Sequence, residues 1–481
     1  MPSLPSASTT VSDASTTVVG GTDVCCVIAP VATSDDATPR FFGSAKAVYD
    51  QHGYCDGVEY VAHHVDMTGL PVVFVGVPIA TAGAISAEVT DGNTNTCVTT
   101  VTAGGDGVLA EHDGVLKVVT GGTIGTDQIV LSLSLDGGRT FRTVRLGTGN
   151  SYALPYHGAT IAFAAGDLTA GETIHTWHGS GPAADADGFD DAFAALASQL
   201  RFFRSIVVIG DIASSTIAAA LLADVNAYKS ANDRATFVRA NVYDRASDDT
   251  KAEWMAEIDA EFESIDAAPR MSLGAGRGRR VSPFSGWYFR CPVAWADSIR
   301  SYQHDLHVAP WRKSDGPTGW DLFDADGDLA EWDDRVDGSA GSAARFTTFR
   351  TWSNGPAGAF IALSLTRAED DSILLYTHNQ AVTDLVTNTA QLATEEAVGR
   401  SLVLKADGTA TEDALRTIEA EVNSALTLAI AARDEGQRAS SAVWSAARDD
   451  VLNVPEATLN GTLTLNLNGT IHTVNTTIKV S

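Results

Sequence analysis

Positive charge is scarce in this chain of 481 residues: 32 Lys and Arg stand against 60 Asp and Glu, a formal net charge of -28. Contact with phosphate needs a basic excess, so this balance argues against direct nucleic-acid binding and favours solubility, ordered assembly or partners with basic patches. Cysteine is sparse too: Cys25, Cys26, Cys55, Cys97 and Cys291 include no CxxC pair, which excludes a zinc knuckle or a thioredoxin-type site. No apolar run is long enough to span a bilayer. The opening MPSLPSASTTVSDASTT has neither the basic start nor the apolar centre of an export signal. The expectation is a protein made and assembled in a cytoplasm, with no membrane insertion.

Signatures of chemistry are missing as well. There is no GxSxG nucleophile elbow and no HExxH. His63-His64, His175/His178 and His304/His307 lack a third ligand at metal-binding spacing and read as structural or surface histidines. Asp324-Ala325-Asp326-Gly327-Asp328, followed by Glu331, Asp333 and Asp334, puts its glycine before the third acidic position, where an EF-hand needs it after. It reads as a solvated acidic loop. Gly274-Ala275-Gly276-Arg277-Gly278-Arg279-Arg280 misses the last glycine of a dinucleotide fingerprint. In so acidic a chain, Arg277, Arg279 and Arg280 are expected to form a basic loop that meets an acidic patch on a neighbouring copy. Asp211 sits where α/β enzymes keep a catalytic acid, without an identifiable partner. No catalytic residue, metal or cofactor is assigned.

What is present is a globular composition, 44% hydrophobic and 19% charged, enough for two or three domains. Residues 1–22 are Ser/Thr-rich, end in Val18-Val19-Gly20-Gly21, and read as an extended arm. Val24 to Ala29 and Pro71 to Val77 are continuous apolar runs of buried strands, with helices from Ser44 to His52 and Val58 to Asp66 between them. This is the first part (23–84) of an α/β domain. From 85 to 180 the pattern turns to short alternating runs with turn signals such as Asp136-Gly137-Gly138, predicting an inserted β-sandwich or barrel. Helix and strand alternate again over 181–345: helices Phe189–Phe202, Ser214–Lys229 and Asp248–Ile265, strands Ser205–Gly210, Ala235–Asn241 and Pro269–Leu273. Residues 282 to 345 read as long loops.

In 346–458 the pattern predicts a strand from Gly358 to Leu365 and helices from Gln380 to Arg400 and Thr411 to Arg433. The last carries Leu415, Ile418, Val422, Leu426 and Ile430 along one face, with a capping box from Thr409 and Glu412. Residues 459–481 close the chain. Leu463, Leu465 and Leu467 alternate with polar residues, Asn468-Gly469 is a tight-turn signal, and Ile471, Val474, Ile478 and Val480 follow, predicting a hairpin of two strands. Terminal strands of this kind, with Val18 and Val19 at the other end, are templates for joining another chain's sheet. The five thiols have two readings: small buried side chains, or pairing between copies outside the cytoplasm. Cys25 and Cys26, adjacent on a strand, point to opposite faces.

Several segments in order carry a resemblance. They are Val18-Val19-Gly20-Gly21-Thr22-Asp23-Val24, Ile28-Ala29-Pro30-Val31, Phe42-Gly43-Ser44, Gly53-Tyr54-Cys55-Asp56-Gly57 and Gly69-Leu70-Pro71-Val72-Val73. Far downstream, Arg345-Phe346-Thr347-Thr348-Phe349-Arg350-Thr351-Trp352 precedes Gly358-Ala359-Phe360-Ile361. With the two long helices and a terminal β arm, this order resembles the contractile tail sheath proteins of phages and related contractile injection systems. The resemblance implies a mixed α/β sheath core with an outward-facing inserted all-β domain and β arms at both ends. It implies a helical homopolymer of stacked hexameric rings in a virion tail, assembled in the host cytoplasm. The C-terminal third would grip a tail tube protein, with baseplate and tail terminator proteins as further partners. Disulfides between copies would oppose contraction until reduced. The rival readings are another virion or surface β-rich structural or adhesion protein, and an α/β hydrolase joining Asp211, His304 and Asp305 in a pocket.

Overall fold

The computed structural model describes residues 24–32, 37–89, 95–198, 202–246, 249–323, 329–432, 436–453 and 458–469. Both expected arms therefore fall largely outside the described residues, including Val18, Val19, Ile471, Val474, Ile478 and Val480. So do Asp324, Asp326 and Asp328 of the acidic loop.

The fold is mixed α/β. Its centre is a six-stranded sheet in the order Met271–Gly274, Val238–Val242, Ile206–Ile212, Cys25–Val31, Val72–Pro78, Arg40–Phe42. The first five run parallel and Arg40–Phe42 closes the edge antiparallel. Segments such as Val-Val-Phe-Val-Gly-Val are apolar on both faces because helices cover both. Helices Ala186–Ala197, Ser215–Asn232 and Lys251–Phe262 cover one face with Phe193, Leu221, Val225 and Ile258. Helices Ala45–His52, Asp56–Thr68 and Val293–Gln303 cover the other with Val48, Val58, Val61 and Ile299. Cys26 enters the first core and Cys25 the second. Local chemistry sets the helix starts. Ser44, Asp185 and Ser214 accept from backbone N–H groups of the first turn, and Thr250 with Glu253 forms a capping box.

Between Val72–Pro78 and Ala186–Ala197 the chain leaves the sheet and builds a separate β unit. A five-stranded antiparallel sheet runs Ile85–Val89, Thr173–Gly179, His112–Thr120, Ile129–Ser134, Arg142–Gly147, and a three-stranded one joins Ser151–Ala153, Ala159–Phe163 and Thr99–Ala103. Alternate residues such as Leu116, Leu131, Leu133 and Ile161 close around Trp177.

The C-terminal unit pairs helices Thr377–Glu395 and Glu412–Ile430 under an antiparallel pair of strands, Ala439–Ala446 and Gly461–Leu467. Leu385, Val386, Ile418, Val422, Leu426 and Trp444 fill the space between them.

Several expectations are corrected. The region read as loops holds the strand Tyr288–Pro292 and the helix Val293–Gln303. The basic segment is not a loop: Arg277–Val281 is a strand paired with Tyr288–Pro292. The strand expected from Gly358 to Leu365 shrinks to Phe360–Ile361. The capping box at Thr409 does not form, because its hydroxyl donates to Asp407 (2.7 Å) and the cap position is Thr411, without a side-chain cap bond. The strand containing Leu463, Leu465 and Leu467 pairs with upstream Ala439–Ala446, while its expected downstream partner lies outside the described residues.

Candidate functional site

The C-terminal strand pair is the assembly candidate. Along Gly461–Leu467 the leucines are half-buried and Thr462, Thr464 and Asn466 are exposed, so one face packs on the helices and the other meets solvent. Gly461 runs directly under Trp444, and Asn423 clamps Trp444 by donating to its carbonyl (2.9 Å) and accepting from its N–H (2.7 Å). Arg438 fastens the base of the pair to the framework by donating to Asp305 (2.7 Å) and to the Ala429 carbonyl (2.9 Å). Among the described residues Gly461–Leu467 pairs on one side only, with Ala439–Ala446. A groove of about 730 Å³ opens at the Gly461 end, lined by Val398, Leu402, Leu404, Ile418, Trp444 and Leu459 among others. At its rim Val398 is 82% and Val403 68% exposed.

A second cluster sits at the carboxyl ends of the parallel strands, where open α/β sheets keep ligands. The chain's own arginines fill it. Arg277 reaches Glu111 and Asp211, each at 2.6 Å, and Asp244 at 3.5 Å. Arg290 pairs with Asp244 and with Glu331 (2.8 Å), and Arg279 with Glu331 (3.0 Å). Glu111 belongs to the inserted unit, Asp211 lies in strand Ile206–Ile212, Asp244 follows strand Val238–Val242, and the arginines come from the hairpin of Arg277–Val281 and Tyr288–Pro292, so these ion pairs join inserted unit to framework. Burial pushes the Glu111 carboxyl up to about 7 despite the arginines. Burial also raises Asp244, but Arg290 and Arg277 outweigh it and hold that carboxyl down at about 2. The cavity left beside them is about 220 Å³.

Arg277 and Arg279 are thus buried within their own chain and unavailable to a neighbour. Arg280 is partly exposed and pairs with Asp66 (3.1 Å). Asp211, His304 and Asp305 do not converge: they pair with Arg277, Asp315 and Arg438 respectively. The hydrolase expectation of a shared pocket is corrected accordingly. Asp333 accepts from the Thr351 N–H (3.0 Å), and Asp334 from the Trp332 indole and Ser342 (both 2.6 Å). These carboxylates secure loops, and among the described residues no His, Cys, Asp and Glu group is arranged to hold a metal.

All five cysteines are buried and none is in a disulfide within the chain. Burial pushes Cys25 up to about 11 and Cys55 up to about 12, so both stay protonated and unreactive. His63 and His64 lie in the framework core, held down at about 3 by burial. In the inserted unit His175 is hydrogen-bonded to Thr99 (2.8 Å) and His178 to Asp113 (2.8 Å). No helix among the described residues is long and apolar enough to cross a membrane.

No protein-family model and no curated protein matches the sequence. Solved structures do. A sheath tail protein from Desulfitobacterium hafniense aligns over 92% of this chain and 96% of its own, at 12% identity and a TM-score of 0.43. A sheath tail protein from Listeria innocua aligns over 91% and 94%, at 10% identity and a TM-score of 0.42. The contracted sheath complex of an extracellular contractile injection system aligns over 60% and 75%, at 10% identity and a TM-score of 0.39.

Proposed function

We propose that this chain is the structural subunit of a contractile tail sheath, polymerising around a tail tube through strands exchanged between copies. The observation that carries the reading is the terminal strand Gly461–Leu467, anchored on Trp444 and the two long helices on one face and unpaired along its outer edge among the described residues. Such an edge gains a ladder of main-chain hydrogen bonds from any added strand. The apolar residues Ile471, Val474, Ile478 and Val480 and the Val18-Val19 end of the opening segment supply candidates for that strand. The order of sequence segments that resembles sheath proteins gives the assembly its form: a helical homopolymer with the tube on its inside, baseplate and terminator at its ends, and the inserted β unit outward. Main-chain ladders suit a polymer that shortens, because they survive rotation of the bodies they connect, and shortening then proceeds as release of one packing into a better one. Such a subunit is made in the host cytoplasm and works in the particle's tail. Sedimentation velocity at rising concentration, followed by electron microscopy, tests this: helical tubes with an axial repeat support it, and a monomer or closed ring at every concentration refutes it.

A further inference from the structure

The two passages that carry the chain into and out of the inserted β unit are tied together. Ala80 and Thr81 donate to the Ala183 carbonyl and Ala183 donates back to Thr81, each at 3.0 Å. A neck of this kind, by itself, leaves a domain free to swing. Here each body also holds a piece of the other. Leu109 and Ala110 of the inserted unit pack in the framework core that contains Tyr54 and Val58. In exchange, Trp287 leaves the framework hairpin of Arg277–Val281 and Tyr288–Pro292 at its turn and is buried in the inserted unit's core, the one that holds Trp177. An inserted domain is expected to close its own core, and this one takes a wall of its core from far downstream.

The turn that brings Trp287 faces both ways. Its Phe284 packs on the framework core, with its ring 5.4 Å from Tyr49 and 6.2 Å from Tyr54. Tyr156 of the inserted unit joins the same aromatic cluster, 5.6 Å from Phe284 and 5.3 Å from Tyr54. It does so at a φ of +70°, a left-handed backbone that a bulky residue keeps only where surrounding contacts over-determine it. The turn itself is braced. Ser282 accepts from the N–H groups of Phe284 (3.0 Å) and Ser285 (2.8 Å), its own N–H donates to the Trp287 carbonyl (2.7 Å), and its hydroxyl donates to buried Glu59. From the inserted unit, Arg142 donates to the Gly286 carbonyl and lies 4.1 Å over the Trp287 ring.

We infer that the turn Ser282–Trp287 is a two-sided plug: Trp287 completes the core of the inserted unit, Phe284 seats the turn on the framework, and the β unit is thereby held in one orientation as a rigid fin. Swinging the unit would draw Trp287 and Ala110 out of their cores and break the Tyr156 cluster in the same movement, and large buried aromatic contacts of this kind dominate such joints. Whatever meets the outer surface of the fin is therefore moved with the framework as one body. This goes beyond the proposed assembly and does not rest on it.

The test places spin labels on the full chain at Arg145→Cys in the inserted unit and Val336→Cys in the framework, both exposed. The native thiols are at most 8% exposed and stay unlabelled. Pulsed electron resonance reads the label separation, with labelled chain diluted in unlabelled chain so that only distances within one copy count. The parent should give a single narrow distribution. Trp287→Ala should widen it about twofold, because a domain held only by its neck moves by default. Phe284→Ala, outside the inserted unit's core, should widen it as well. Leu168→Ala cuts the same core as Trp287→Ala but at the strand pair Gly122–Thr123 with Asp167–Leu168, and it should lower stability while keeping the parental width. A broad or two-peaked parent overturns the inference, as does parental width in Phe284→Ala or widening in Leu168→Ala equal to that in Trp287→Ala. If Trp287→Ala fails to fold, Phe284→Ala decides.

Discussion

Gly461 lies beneath the indole of Trp444, where an added β-carbon would stand 2.2 Å from ring carbons. The inserted unit uses the same device: a β-carbon on Gly114 would meet Trp177 at 2.0 Å. In both places a strand gives up a side chain so that a tryptophan can lie flat across it, and the strand's height above its core depends on that contact.

Gly461→Val therefore pushes the indole or the strand away. Overpacking of this kind costs about 1–3 kcal/mol, and the C-terminal strand shifts off its helices. Urea unfolding should show this loss and sedimentation a loss of assembly, while helix content stays that of the parent. A variant of parental stability would mean that the strand is loosely seated.

Arg277→Met leaves Glu111, Asp211 and Asp244 facing each other with only Arg290 to offset them. Removing one partner of a buried pair costs about 3–5 kcal/mol. Arg277→Lys should recover only part of it, because an ammonium cannot reproduce the fork that meets two carboxylates at 2.6 Å. Equilibrium unfolding checks the magnitude. Hydrogen exchange checks the location, which should be the residues joining inserted unit and framework.

Acid should destabilise the protein through histidines that are buried neutral. Burial holds His157 down at about 3 and His112 at about 4, their rings 4.8 Å apart. The unfolded chain protonates them near 6.5. Unfolding thus takes up protons, and their contribution is present above 6.5 and lost as pH falls toward their folded values. His157→Asn should remove close to one proton from that uptake, about 1.4 kcal/mol per pH unit in the slope of stability against pH. Urea midpoints between pH 6.5 and 4.5 measure it, and an unchanged slope contradicts the assignment.

Glu111 works in the opposite direction. Its folded carboxyl keeps a proton up to about 7, which the unfolded chain loses near 4.5. Its contribution is present below 4.5 and lost as pH rises to about 7. Glu111→Gln should flatten stability across that window relative to the parent, and a parental slope would show that the carboxyl is ionised throughout it.

Much of the framework was readable because it is written in local pattern. The runs at Cys25–Val31 and Val72–Pro78, the alternation of Leu131 and Leu133, and the stripe from Leu415 to Ile430 each report their own burial. The misses share a cause. Helix Val293–Gln303 is buried almost all round yet carries Asp297, Ser298 and Ser301, whose partners Arg239 and Tyr60 lie far away in sequence. Nothing local marks such polar residues as interior. Arg277 misled for the same reason, since Glu111 and Asp211 are brought to it only by the fold. Strand Ala439–Ala446 hid among small residues, with Trp444 as its one loud signal.

The central claim is that the end segments of the chain join the copies. Electron microscopy of the full chain beside a chain ending at Gly469, at equal high concentration, tests it most directly. The account predicts helical tubes from the full chain and dispersed, folded subunits from the shortened one. Equal tubes from both, or dispersed subunits from both, would contradict it.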